Sequence, residues 1–272
     1  MHIIITKTIF ICPRLASISI NHKDAPMRWK CICSYKGTQF GGWQFQPSGT
    51  GVQNHLESAL SSIFDQPIRI HGCSRTDAGV HAFGQCFHFD GDWSHSKDKL
   101  KRALHSLLDT DIRIETITPV SENFHARFSA IKKSYVYTIY LDRAPPTEEA
   151  FVWACRDTPI DFESMLTASQ YFIGQHDFTA FSAVHAKDQD PNPIKEIHSL
   201  ELKQKGPKIS IAITGSGFLY KMVRSIVGTL YAVGRNRLSP EDVLNILHSK
   251  KRTNKIVTAP ASGLSLKKIF YK

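Results

Sequence analysis

The chain has 272 residues, 42% of them hydrophobic and 21% charged, a balance that excludes a disordered protein and leaves room for one large domain or two of ordinary size. Its formal net charge of +10 points to a polyanionic partner, nucleic acid before a membrane surface, because the basic residues are spread and do not gather on one amphipathic helix. Six cysteines with no C-x-x-C pair, and thirteen histidines with no H-x-x-x-H or H-E-x-x-H pattern, argue against a disulfide framework and a metal site and fit a reducing, cytoplasmic setting.

Residues 1–27 read as an N-terminal extension, either outside the fold or not part of the native protein. Lys7 breaks the apolar run, no signal-cleavage site follows, and Met27 directly precedes the first strand-like segment. No segment reaches the ~20 apolar residues needed to span a bilayer. Arg28–Tyr35 is expected to be a strand, Lys36-Gly37-Thr38 a turn, and Phe40–Gln44 a glycine-containing loop. Val52, Leu56, Leu60 and Ile63, spaced by four, four and three, mark a helix. Pro67–Ile70 alternates like a strand and leads to Arg75-Thr76-Asp77-Ala78-Gly79-Val80-His81-Ala82. In this small-residue turn Thr76 and Ala78 leave room around Asp77, and a large substrate could approach the backbone. Asp77 could bond its own backbone as an Asx-turn, or it could act as a nucleophile.

Val80–Phe89 is a further strand, Ser96–Leu108 a helix, and Ile112, Ile114 and Ile117 begin an extended segment. Lys132–Leu141 is a strand with Tyr135, Tyr137 and Ile139 on one face. Pro145-Pro146 marks a boundary between an N-terminal subdomain, 28–145, and a C-terminal one, 146–272. The second half should contain a helix over Phe162–Ile173, a polar loop over Ala186–Pro193, and a hairpin joining Ile197–Lys203 to Ile209–Thr214. A helix over Leu219–Val233 follows, with Gly234 as its C-cap, then a helix capped by Ser239-Pro240, and a closing strand over Leu264–Tyr271. The class is α+β: two mixed subdomains with a largely antiparallel sheet.

Beyond periodicity, several segments resemble a known family. Arg75–Ala82 resembles the signature of the A-type (TruA-like) tRNA pseudouridine synthases. Gly42-Trp43-Gln44, Phe124-His125-Ala126-Arg127-Phe128, Tyr135-Val136-Tyr137, His176–Phe181, Phe218–Arg224 and Gly263-Leu264 with Leu266 resemble further family segments, collinear from about residue 29 to 271. The sequence departs from the pattern at Lys36, where the family has Asp, and at Ser74, where Gly usually precedes Arg-Thr-Asp.

The resemblance implies the pseudouridine synthase fold and an isomerase that converts uridine to pseudouridine at positions 38, 39 and 40 of the tRNA anticodon stem-loop, as a homodimer, without cofactor or metal. It implies Asp77 as the catalytic carboxylate, with Arg224 as its partner. Tyr135 would sit against the detached uracil and assist proton removal from C5. Arg75 would help hold the flipped nucleotide, Arg127 and Lys132-Lys133 would meet phosphates, and Phe218 and Leu264 would wall the pocket. The Ala186–Pro193 loop is expected to touch the tRNA. Other readings stay open at this point. A non-catalytic RNA-binding protein of the same fold is allowed by Ser74 and Lys36 but opposed by Asp77, Tyr135 and Arg224. A metal-dependent hydrolase would have to be built on the histidines, and a structural interaction protein gives no reason for the Arg-Thr-Asp turn.

Overall fold

A computed structural model describes residues 26–156, 159–183 and 192–272. Its strands are β1 (Arg28–Tyr35), β2 (His71–Gly72), β3 (His81–Asp90), β4 (Ile112–Val120), β5 (Ala130–Tyr140), β6 (Trp153–Ala154), β7 (Gly174–Asp177), β8 (Ile194–Lys205), β9 (Lys208–Gly215) and β10 (Leu264–Tyr271). Its helices are α1 (Val52–Phe64), α2 (Lys97–Leu107), α3 (Phe162–Gln170), α4 (Met222–Gly234) and α5 (Pro240–Ser249). The strands form one ten-stranded sheet with the path β4-β1-β3-β10-β5-β9-β8-β7, with β2 added beside β3 and β6 beside β5. Pairing is antiparallel except for the short β3–β10 and β5–β6 contacts. The stretches 28–145 and 146–272 therefore share a sheet, because β10 from the end of the chain lies between β3 and β5.

Period-two patterning explains the strands. In β1 the inward residues Trp29, Cys31, Cys33 and Tyr35 are buried, and in β9 Ile209, Ile211 and Ile213 are. The four-four-three spacing of α1 puts Val52, Leu56 and Leu60 in the core. Helix α5 begins as its sequence suggests: Ser239 Oγ accepts from Asp242 N–H, the Asp242 carboxylate accepts from Ser239 N–H, and Pro240 fills the first position. No helix among the described residues is long and apolar enough to cross a membrane.

Four local expectations change. Pro67–Ile70 is not a strand, because α1 takes its backbone donors: Ile68 N–H bonds Ser61 Oγ at 2.9 Å and Ile70 N–H bonds the Glu57 carboxylate at 3.1 Å. Helix α3 stops at Gln170, where Tyr171 and Phe172 tighten into three-residue turns on Ala168 and Ser169. Helix α4 starts at Met222 and not Leu219, since Lys221 sits at φ +56°. Gly234 is the last helical residue and not a cap; a Cβ there would come within 2.7 Å of the Met165 sulfur, so close helix packing requires the glycine. The Ala186–Pro193 loop lies outside the described residues except for its last two.

Candidate active site

Sheet order brings the motif segments together. Leu266 of β10 pairs with Ala82 of β3 on one side and with Tyr135 of β5 on the other. The loop that ends at Val80 and the loop 259–263 therefore run into neighbouring strands, and Tyr135 lies one strand further on. Behind the first loop stands Gly42, at φ +99°, where a Cβ would be 2.6 Å from the Thr76 carbonyl oxygen. Trp43 N–H donates to that same carbonyl at 3.0 Å, and the Tyr35 hydroxyl meets Thr76 Oγ1 at 2.8 Å. Gly79 takes φ +79° and Val80 N–H closes on the Asp77 carbonyl at 3.1 Å. These contacts fix the backbone on both sides of Asp77.

The Asp77 side chain does not bond its own backbone. Its Oδ2 accepts from Arg224 Nη1 at 2.7 Å, across 147 positions of sequence. Arg224 leaves the first turn of α4, and its Nε donates to the Ala259 carbonyl at 2.7 Å while Ala259 N–H donates to the Arg224 carbonyl at 3.0 Å. One planar guanidinium is thus tied to the loop before β10 and to the carboxylate at once. Asp77 Oδ1 has no partner among the described residues, and the side chain is 20% exposed against 13% for Arg224. The carboxylate is oriented through one oxygen and open at the other.

Tyr135 is buried, its ring meets Phe218 edge-on at 5.2 Å, and its hydroxyl lies 2.9 Å from Ser74 Oγ. Burial pushes its phenol up to about 12, so the hydroxyl is neutral at physiological pH. The Asp77 carboxylate is near enough to the Tyr135 phenol for its charge to add to that upward push.

A family model described as tRNA pseudouridine synthase matches residues 32–129 and 168–272. The chain belongs to the tRNA pseudouridine synthase family. It is 41% identical over 248 residues to a tRNA pseudouridine synthase A of Maridesulfovibrio salexigens, covering 90% of each chain. It is 41% identical to one of Bacillus licheniformis and 39% identical to one of Bacillus subtilis, over 247 residues in both cases, covering 90% of this chain and 99% of each relative. The mixed α/β architecture with a mostly antiparallel sheet agrees with the pseudouridine synthase fold, and the family's reaction is an isomerisation.

Of the residues expected at a pseudouridine synthase site, Asp77 is paired with Arg224 and Tyr135 with Phe218, and the Asp77 charge acts on the Tyr135 phenol. Leu264 is buried at the start of β10, in register with Tyr137. Arg75 is exposed, and its side chain has no hydrogen-bond or ion-pair partner among the described residues. Arg127 is also exposed, in the turn before β5, beside a Phe128 ring that is 77% exposed and lies 4.3 Å from the His125 ring. Lys132 points to the Phe270 ring at 4.7 Å. Lys133 turns inward instead, with Nζ 3.2 Å from the Cys73 carbonyl oxygen and 3.4 Å from Ser74 Oγ. Ser74 is the residue that sequence reading undervalued. It was visible as a departure from glycine, but nothing local marks its hydroxyl as the neighbour of Tyr135, 61 positions away.

Proposed function

We propose that this protein isomerises uridine to pseudouridine at positions 38, 39 and 40 of the tRNA anticodon stem-loop, with Asp77 as the essential carboxylate and the target nucleotide flipped out of the stack. The observation that carries the reading is the Asp77 carboxylate, held through Oδ2 by Arg224 and open at Oδ1. The reaction breaks the N-glycosidic bond, turns the uracil and forms a C–C bond through C5. Asp77 either attacks the sugar or base, or removes a ribose proton to give a glycal. Each route uses a carboxylate oxygen that no protein donor occupies, and Oδ1 fits that need.

Target atoms inside a paired stem are out of reach, so the nucleotide must leave the stack. Arg75, exposed and two positions before Asp77, suits the role of holding it out. Tyr135 and Phe218 offer ring edges and faces to the loose uracil, and Leu264 closes the apolar side. Arg127 beside the exposed Phe128 suits a phosphate contact next to a stacking surface. The net charge of +10 supports recognition of RNA through phosphates and shape. The homodimer implied by the resemblance belongs to the same proposal, and sedimentation of the free protein measures it.

The test is to incubate the protein with unmodified tRNA transcripts, map pseudouridine by mass spectrometry, and repeat with uridines 38, 39 and 40 changed singly to cytidine. Product confined to those positions, and lost one position at a time, supports the reading. Product elsewhere in the tRNA, or none, overturns it.

A further inference from the structure

Ser74 lies between two side chains that have no other reason to communicate. Its Oγ is 2.9 Å from the Tyr135 hydroxyl and 3.4 Å from Lys133 Nζ. Tyr135 and Lys133 alternate inward from β5, and Lys133 Nζ is also held by the Cys73 carbonyl at 3.2 Å. The backbone of Ser74 is clamped from β3 by the fully buried Gln85, whose Nε2 donates to the Ser74 carbonyl at 2.6 Å and whose Oε1 accepts from Ser74 N–H at 3.3 Å. Ser74 does not have a positive φ, so serine occupies the position without strain. A glycine there would leave the phenol and the amine with no bridge.

We propose that Ser74 is a positioning residue that joins Tyr135 to Lys133 in a proton relay for the removal of hydrogen from uracil C5. This rests on Tyr135 being the group that faces C5 in the reaction proposed above. After the C–C bond forms, C5 carries both the ribose carbon and a hydrogen. The C5–H electron pair becomes the C5–C6 double bond, the C6–N1 π pair returns to N1, and N1 takes a proton from water. The departing C5 proton passes to Tyr135 Oη as the phenol proton moves to Ser74 Oγ and the serine proton moves to Lys133 Nζ. The relay runs from the fraction of enzyme in which Lys133 is the free amine; Lys133 ends as the ammonium and returns its proton to solvent between turnovers. A neutral phenol is a poor base alone, and the relay supplies the acceptor it lacks.

The surroundings of Lys133 shift its titration toward the free amine. Burial lowers its ammonium pKa, and the cations of Arg127, from the turn before β5, and Lys195, from β8, lower it further. Cys73 is the opposing neighbour, since its charge and its hydrogen bond favour the ammonium, while burial pushes its thiol up, away from the thiolate. Asp77 and Cys73 face Tyr135, and both disfavour an unassisted phenolate.

The test is single-turnover tritium release from tRNA carrying [5-³H]uridine, with enzyme in excess, between pH 6 and 10, for wild type, Ser74→Ala, Ser74→Thr and Lys133→Arg. Arginine supplies the charge of the ammonium form but has no free electron pair to accept the serine proton, so it separates a relay from simple electrostatics. The wild-type rate should rise with pH as Lys133 becomes neutral. Ser74→Ala and Lys133→Arg should each lose about tenfold together with that rise, Ser74→Thr should keep both, and tRNA affinity should hold in all. Wild-type rates in Ser74→Ala and Lys133→Arg overturn the relay, as does a slower rate with an unchanged pH profile. No release by wild-type protein that still binds tRNA overturns the proposed reaction itself, and the relay with it.

Discussion

Arg224 is the most informative single substitution outside the carboxylate. Replacing it with methionine keeps length and apolar bulk but removes two hydrogen bonds of one guanidinium, to Asp77 Oδ2 and to the Ala259 carbonyl, each 2.7 Å long. A hydrogen bond to a charged group contributes about 1.5–3 kcal/mol. The pair is partly screened, with the two side chains 13% and 20% exposed, so a value near the lower end, about 2 kcal/mol, is appropriate. If that energy holds the carboxylate in its reactive orientation, Arg224→Met should slow single-turnover pseudouridine formation by about 30-fold. Arg224→Lys should lose about tenfold, since an ammonium keeps the charge but cannot hold Ala259 and Asp77 with one rigid plane. The assay is rapid-quench tritium release with saturating enzyme, with tRNA affinity and near-ultraviolet circular dichroism measured alongside. A folded, tRNA-binding Arg224→Met enzyme within about threefold of wild type would refute the claim that this pair orients the catalytic group.

Three further outcomes follow from the geometry. Gly42→Ala pushes a Cβ toward the Thr76 carbonyl, so it should cost about 1–3 kcal/mol in urea unfolding and depress activity; Gly49→Ala, at φ +78° with open space around it, should cost stability alone. Burial holds His88 down at about 4, against an ordinary value of 6.5, while its Nδ1 accepts from Ala126 N–H at 3.2 Å. The unfolded chain therefore takes up that proton first, so stability should fall as pH drops from about 6.5 toward 4. Thermal unfolding of His88→Asn, which keeps an acceptor but does not titrate, should show a shallower loss between pH 7 and 5. In tRNA-binding titrations against salt, Arg75→Ala and Arg127→Ala should each reduce the slope of log K by about 1, while a substitution with no effect on slope removes that arginine from the RNA contact.

Strand positions were legible because the buried residues alternate, as Trp29, Cys31, Cys33 and Tyr35 do, and helices because their apolar residues recur by three and four. The failures share a cause. Backbone donors at Ile68 and Ile70 are taken by α1 side chains, and Gly234 is required by Met165, so contacts distant in sequence override local pattern. The site shows the same division. Spacing alone left Asp77 open between an Asx-turn and a nucleophile, and the family resemblance supplied Arg224. The resemblance marks Ser74 only as a departure from glycine and says nothing of a bridge, because a hydroxyl gains meaning only when folding sets it between Tyr135 and Lys133.

The most direct measurement of the central claim compares wild type with Asp77→Asn in tritium release from tRNA carrying [5-³H]uridine. The side chains are nearly isosteric, so Asn can still accept from Arg224 Nη1 and the fold should survive while the charged oxygen is lost. Release by wild type and none by a folded, tRNA-binding Asp77→Asn protein is the expected result. Equal release by the two would contradict it, and the catalytic carboxylate would have to be sought elsewhere in the chain.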